Sequence, residues 1–138
     1  MKNLRKLLIV FFFTVAVSLF ALAYSASAAT VKYSVDGGYI YFNTSSGAII
    51  DADSWVKVVN IPEQIDGVDV VSINSRAFYS SKALTTVTLP DTVVTIGDYA
   101  FAFCNSLRNI TIPDNVTSIG NSAFTGCEVL EKINIGMM

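Results

Sequence analysis

The chain has 138 residues, 52% of them hydrophobic, with two cysteines and no histidine; this excludes Ser-His-Asp and Cys-His catalytic arrangements and the commonest zinc ligand sets. Nine Lys and Arg stand against eleven Asp and Glu, a net charge of −2. Three of the positive charges lie within the first six residues, so the remainder carries −5 (six against eleven), and such an acidic body disfavours binding to nucleic acid or to anionic lipid.

Lys2, Arg5 and Lys6 precede an uncharged run from Leu7 to Tyr24, and the small residues Ser25-Ala26-Ser27-Ala28-Ala29 come directly after it. This is the pattern of a secretory signal peptide over residues 1–28, cleaved after Ala28 or one residue later. The rival reading is an uncleaved anchor, since the run approaches the ~17 to 25 apolar residues that span a bilayer. The small-residue tail argues against it. No cysteine follows the run to accept a lipid, because Cys104 and Cys127 are the only two. The expected product is secreted, extracellular or surface-associated, with no membrane contact once the signal is removed.

Residues 29–55 read as an N-terminal β-hairpin cap. VKYSV and YIYF flank Asp36-Gly37, a strong hairpin signal, and a polar loop from Asn43 to Gly47 leads into Ala48-Ile49-Ile50. Tyr33, Tyr39, Tyr41, Phe42 and Trp55 are the residues expected to pack onto the next segment of the chain.

Residues 56–138 repeat. Leu84, Leu107 and Leu130 are 23 apart, and so are Ile73, Ile96 and Ile119; Ala77, Ala100 and Ala123; Phe78, Phe101 and Phe124; and Leu89, Ile112 and Ile135. Five registers agreeing at one period predict about three stacked units of one supersecondary element. VKVVNI (56–61), LTTVTL (84–89), LRNITI (107–112) and LEKINI (130–135) share the inward pattern of a short strand, and these strands are expected to pair in parallel. Pro62, Pro90 and Pro113, lacking an amide hydrogen, end the first three. A second apolar stretch in each unit stops at Asn74, Gly97 or Gly120, residues that tolerate positive φ. Ser75, Asp98 and Asn121 then resemble helix N-caps, so one helical turn per rung is expected, its phenylalanine plugging the space between two strand layers. The first unit is longer, 28 residues from Ile61 to Leu89 against 23 later. An Asp66-Gly67 turn bulging from its corner would absorb the difference.

LPDTVVTIGDYAFAFCNSLRNI (89–110) and IPDNVTSIGNSAFTGCEVLEKI (112–133) closely resemble the BspA-type leucine-rich repeat, of which the Treponema repeats are a branch, found in bacterial surface and secreted proteins. The opening YSVDGGYIYF…IPEQIDGVDV is similar to the usual start of such proteins. The resemblance implies a right-handed α/β solenoid used for adhesion, without catalytic residues, whose relatives bind host matrix proteins or other bacterial cells. The expected fold class is therefore α/β: a short leucine-rich-repeat-like solenoid with a parallel β ladder, one short helical turn per rung and an N-terminal β-hairpin cap.

The outer side of the ladder should present Val58 and Asn60, Thr86 and Thr88, Asn109 and Thr111, then Lys132 and Asn134. Of these, Asn60, Thr86, Thr88, Asn109, Thr111, Lys132 and Asn134 are the candidate contacts for an extracellular protein or glycan, host matrix included. Rows of hydroxyl and amide groups are equally the ordinary polar exterior of a sheet. Four strands at ~4.8 Å give a face of roughly 300 to 400 Å², below the ~800 Å² per partner of stable complexes, so multivalent display or a second surface is expected. The array stops at Ile135 without a capping element, and self-association through that open strand is a further expectation.

No catalytic, cofactor or metal site is expected. Asp51 with Asp53 and Asp66 with Asp69 are paired carboxylates, but they fall in predicted turns, where acids are usually just solvated. Cys104 and Cys127 share a register in adjacent rungs, so a disulfide is sterically conceivable. The preferred reading is two stacked free thiols, with Ser81 at the same position of the first rung. The Asn-x-Ser/Thr sequences at Asn43, Asn109 and Asn115 are read as repeat chemistry. The runner-up to an adhesion module is a shortened structural fragment of a longer repeat adhesin with no partner of its own.

Overall fold

The structure, a computed structural model, describes residues 29–135. The expected signal peptide at 1–28, and Gly136, Met137 and Met138, lie outside the described residues.

Strands β1 (Thr30–Val35) and β2 (Gly38–Asn43) form an antiparallel hairpin. Gly37 closes it at φ +89°, and a Cβ there would sit 2.2 Å from the Trp55 carbonyl oxygen, so no other residue fits. The Asn43 carboxamide accepts from the Ser45 and Ser46 amides and turns the chain into β3 (Ala48–Ala52), which runs antiparallel to β2. Then come β4 (Val58–Asn60), β5 (Gln64–Ile65), β6 (Val68–Asp69), β7 (Ser72–Ile73), β8 (Thr86–Thr88), β9 (Thr95–Ile96), β10 (Asn109–Ile112), β11 (Ser118–Ile119) and β12 (Lys132–Ile135).

The repeat winds these into two ladders. One sheet has the order β4-β8-β10-β12, every pair parallel; the other has the order β1-β2-β3-β7-β9-β11, parallel from β3 onward. β3 thus serves as the first strand of the second ladder, and the solenoid makes about four turns. Between the ladders lies one core in which Leu84, Leu107, Ile73, Ile96, Val87 and Ile110 are buried together with Phe78 and Phe101. The five-residue excess of the first unit forms a miniature hairpin, β5 against β6, around Asp66 (φ +52°) and Gly67 (φ +75°). Two successive positive φ values define the tight turn that Asp-Gly favours.

The expected helical turn is absent: no helix occurs among the described residues. The segment after β7 is a run of β-turns, with amides bonded alternately within the rung and across to the next. The Ala77, Tyr79 and Ser81 amides donate three residues back, while those of Arg76, Phe78 and Ser80 donate to the carbonyls of Asp98, Ala100 and Ala102. The next rung repeats this, Tyr99, Phe101 and Phe103 donating to Asn121, Ala123 and Thr125. A helix would direct every amide along its own axis. Directing alternate amides between rungs closes the third side of the coil with a hydrogen-bonded ladder, and the class is all-β.

That geometry relocates positive φ. It falls at Arg76, Tyr99 and Ser122 and again at Ser80, Phe103 and Gly126, each set 23 residues apart, and not at Asn74, Gly97 or Gly120. Gly97 and Gly120 are required for closeness: a Cβ would lie 2.5 Å from the Ser75 nitrogen in the first case and 2.4 Å from the Asp98 nitrogen in the second. Rung stacking, not backbone handedness, fixes those glycines.

The cap packs through fewer aromatics than expected. Phe42 and Ile40 are fully buried and Tyr33 lies against the core, but Tyr39 is exposed and Trp55 is 76% exposed. Trp55 sits in the turn that brings its carbonyl over Gly37. Asp53 organises the other side of the hairpin, accepting from the Tyr39 amide (3.0 Å) and the Tyr41 hydroxyl (2.9 Å). That hydrogen bond from the Tyr41 hydroxyl, chiefly, raises the Tyr41 pKa above the ordinary phenol value.

Candidate interaction surface

Alternation along a strand sends every second side chain outward. In the β4-β8-β10-β12 ladder, Val59, Val87 and Ile110 point into the core, while their neighbours form two outer rows in register. One row is Val58, Thr86, Asn109 and Lys132; the other is Asn60, Thr88, Thr111 and Asn134. All seven candidate residues named from the sequence therefore lie on one face. Thr86 is half-buried and the other six are exposed.

An ion pair stands just ahead of the last two strands of the face. Arg108 and Glu131, one rung apart, pair at 3.1 Å. With side chains 57% and 71% exposed they contribute little to stability. The Thr85 hydroxyl donates to the Lys57 carbonyl (3.0 Å), tying the first two rungs together at the same level.

Beyond β4 the face continues into an open groove of about 240 Å³ lined by Tyr33, Ser34, Val35 and Asp36 of the hairpin with Val58 and Asn60 of the ladder. Asp36 and Val58, on opposite sides of it, are joined by an antiparallel bridge. Sequence reasoning missed the four hairpin residues. β1 reaches β4 only across a long-range contact that no local pattern announces.

The cysteine pair is structural in its contacts. Both thiols are free. Cys104 Sγ donates to the Phe78 carbonyl (3.0 Å) and Cys127 Sγ to that of Phe101 (3.1 Å), each reaching back one rung. Cys104 is pushed up from the ordinary thiol pKa by the neighbouring Cys127 sulfur and by burial. Cys127, more open, is lowered by the neighbouring Cys104 thiol. Among the described residues no three His, Cys, Asp or Glu side chains gather into a metal-binding group.

Residues 54–137 match the family model described as the BspA type leucine rich repeat region (6 copies). No curated protein matches the chain. Among solved structures it is similar to a leucine-rich repeat protein of Eubacterium ventriosum, at 27% identity over 75% of this chain and 27% of that one, with a TM-score of 0.61. A T. pallidum leucine rich repeat protein is similar at 31% identity over 75% of this chain and 49% of its own, TM-score 0.59. A leucine rich cell surface protein of Faecalibacterium prausnitzii aligns at 29% identity over 80% and 33%, TM-score 0.55. The chain spans less than half the length of each of these proteins.

Proposed function

The chain belongs to the BspA-type leucine-rich repeat family, whose members are generally protein-interaction modules rather than enzymes, and we propose that it acts outside the cell, secreted or surface-associated, as an adhesion module. Its partner is an extracellular protein or glycan, host matrix included, held without any chemical step. The observation that carries this reading is the pair of outer rows, in which hydroxyls, amides and one ammonium stand in register across four strands. The export pattern of residues 1–28 and the likeness to a cell surface protein support the location.

The test is capture from host matrix and mucus by the purified chain, as monomer and as a tethered multimer. A face this small is expected to bind weakly alone and strongly when multiplied. Thr88→Lys with Thr111→Lys should abolish capture while leaving the fold intact. Capture that survives in that double variant refutes the face, and no saturable binding in either format favours the fragment reading.

A second copy of the chain is a further partner within this proposal. Ile119, Ile133 and Ile135 are exposed on the last described rung, although their registers are buried in the rungs before it. Edge β12 supports pairing with another such edge.

A further inference from the structure

The 23-residue period accounts for the inner phenylalanines, but it leaves three outer aromatic residues unexplained. Tyr79, Tyr99 and Phe103 are 47%, 37% and 43% exposed in the turn segments of the solenoid, outside both rows of the proposed ladder face. Their registers do not repeat: Tyr79 aligns with Ala102 and Thr125, Tyr99 with Arg76 and Ser122, Phe103 with Ser80 and Gly126. The coil can evidently be wound with small or polar residues there.

The four side chains Phe103, Tyr79, Arg76 and Tyr99 make one continuous platform. Phe103 and Tyr79 meet edge to face at 5.5 Å between centroids. The Arg76 guanidinium lies 5.8 Å from the Tyr79 ring centroid and 5.8 Å from that of Tyr99. Phe103 rests on Gly126, where a Cβ would come within 2.6 Å of the ring. Tyr99 and Phe103 hold this display at φ +56° and +60°, a backbone region that bulky residues avoid and that glycine would occupy without strain. Tyr99 and Phe103 therefore combine a strained backbone with rings that keep 37% and 43% of their surface exposed.

The platform's one charged side chain is unpaired, and its main-chain amides are not. Among the described residues the one ion pair is Arg108 with Glu131, so Arg76 has no carboxylate partner. Its guanidinium lies near both tyrosine rings and enters no salt bridge among the described residues, so its N–H groups are available to a planar anion. The amides of Arg76, Tyr79, Tyr99 and Phe103 are all consumed inside the protein. An added β-strand would find no main-chain donor, and recognition here must run through side chains alone.

We infer that this platform binds an acidic glycan, stacking pyranose rings on Tyr79, Tyr99 and Phe103 while Arg76 takes the sugar carboxylate. Nucleic acid also offers rings and anions, but it requires several cations in a row, and the chain is acidic with one cation at this place. The site is separate from the ladder face, and either can fail without the other.

The test is isothermal titration of the purified chain with a galacturonate hexamer, with 3′-sialyllactose to tell a uronic from a sialic source, and with a neutral glucose hexamer and a single-stranded oligonucleotide for comparison. Binding is expected for a carboxylated sugar, weakening with salt, and at least tenfold weaker for the glucose hexamer. Arg76→Gln should lower affinity at least tenfold. Phe103→Asn should do the same without lowering the melting temperature, because asparagine tolerates the left-handed backbone. Thr88→Lys with Thr111→Lys should leave glycan affinity unchanged. No binding of either acidic sugar, equal affinity for the neutral hexamer, undiminished binding by Arg76→Gln, or preference for the oligonucleotide would overturn the inference.

Discussion

Phe78 and Phe101 lie one rung apart with ring centroids 5.0 Å apart and planes 9° from parallel. Phe124 continues the stack at 5.4 Å and 1°, so a column of rings runs up the middle of the coil. Phe101 has a ring on each side and is fully buried; Phe124 is half-buried.

Replacing Phe101 by alanine therefore opens a cavity in the centre of the column, at a cost of ~3 to 5 kcal/mol. Phe124→Ala should cost clearly less, because water already reaches that ring. Denaturant melts of the two variants check this, and equal midpoints would contradict the difference in burial between Phe101 and Phe124.

The glycines divide by mechanism. Gly97→Ala places a Cβ 2.5 Å from backbone of the rung below, so the rungs must part and stability should fall steeply. Gly67→Ala meets nothing within 4 Å and suffers only its positive φ, a cost of roughly 1 to 2 kcal/mol. Thermal unfolding should rank Gly97→Ala well below Gly67→Ala, with Gly120→Ala between them or beside the former.

Thiol chemistry should be sequential. Cys127 is the more accessible and its pKa is lowered by the neighbouring Cys104 thiol, so at a given pH it holds more thiolate than an ordinary cysteine. Cys104 is raised and buried. Iodoacetamide at mildly alkaline pH should alkylate Cys127 first, and Cys104 only on unfolding, as peptide mapping would show. Unfolded without reductant, the chain should give two free thiols; a count of zero would mean the stacked pair is oxidised.

Self-association, if it uses β12, should respond to charge at that edge. Light scattering of the chain at high concentration is expected to show a dimer, and Ile133→Lys with Ile135→Lys a monomer. A strict monomer before substitution would remove this partner from the proposed function.

The helical turn shows why one part of the rung was illegible locally. Ser75, Asp98 and Asn121 are good helix N-caps, and nothing in their own neighbourhood opposes a turn of helix. What opposes it is the neighbouring rung, whose carbonyls at Asp98, Ala100 and Ala102 claim alternate amides of the segment below. The glycines obey the same logic: Gly97 and Gly120 signalled a special backbone, but the special feature is another chain segment 2.4 to 2.5 Å from the missing Cβ. Trp55, expected to pack onto the array, meets Gly37 through its carbonyl and leaves its ring exposed.

By itself the sequence determined the solenoid, its period and the composition of its ladder face. Side chains that must be buried at equal intervals can satisfy that need only by stacking, and strand alternation then assigns Asn60, Thr88, Thr111 and Asn134 to one row. Tertiary structure alone decided the path of the third side, the groove between β1 and β4, and the gathering of Arg76 and Tyr79 with Tyr99 and Phe103. Those depend on which backbone donors remain once neighbouring rungs have met, a quantity that residues distant in sequence settle between them.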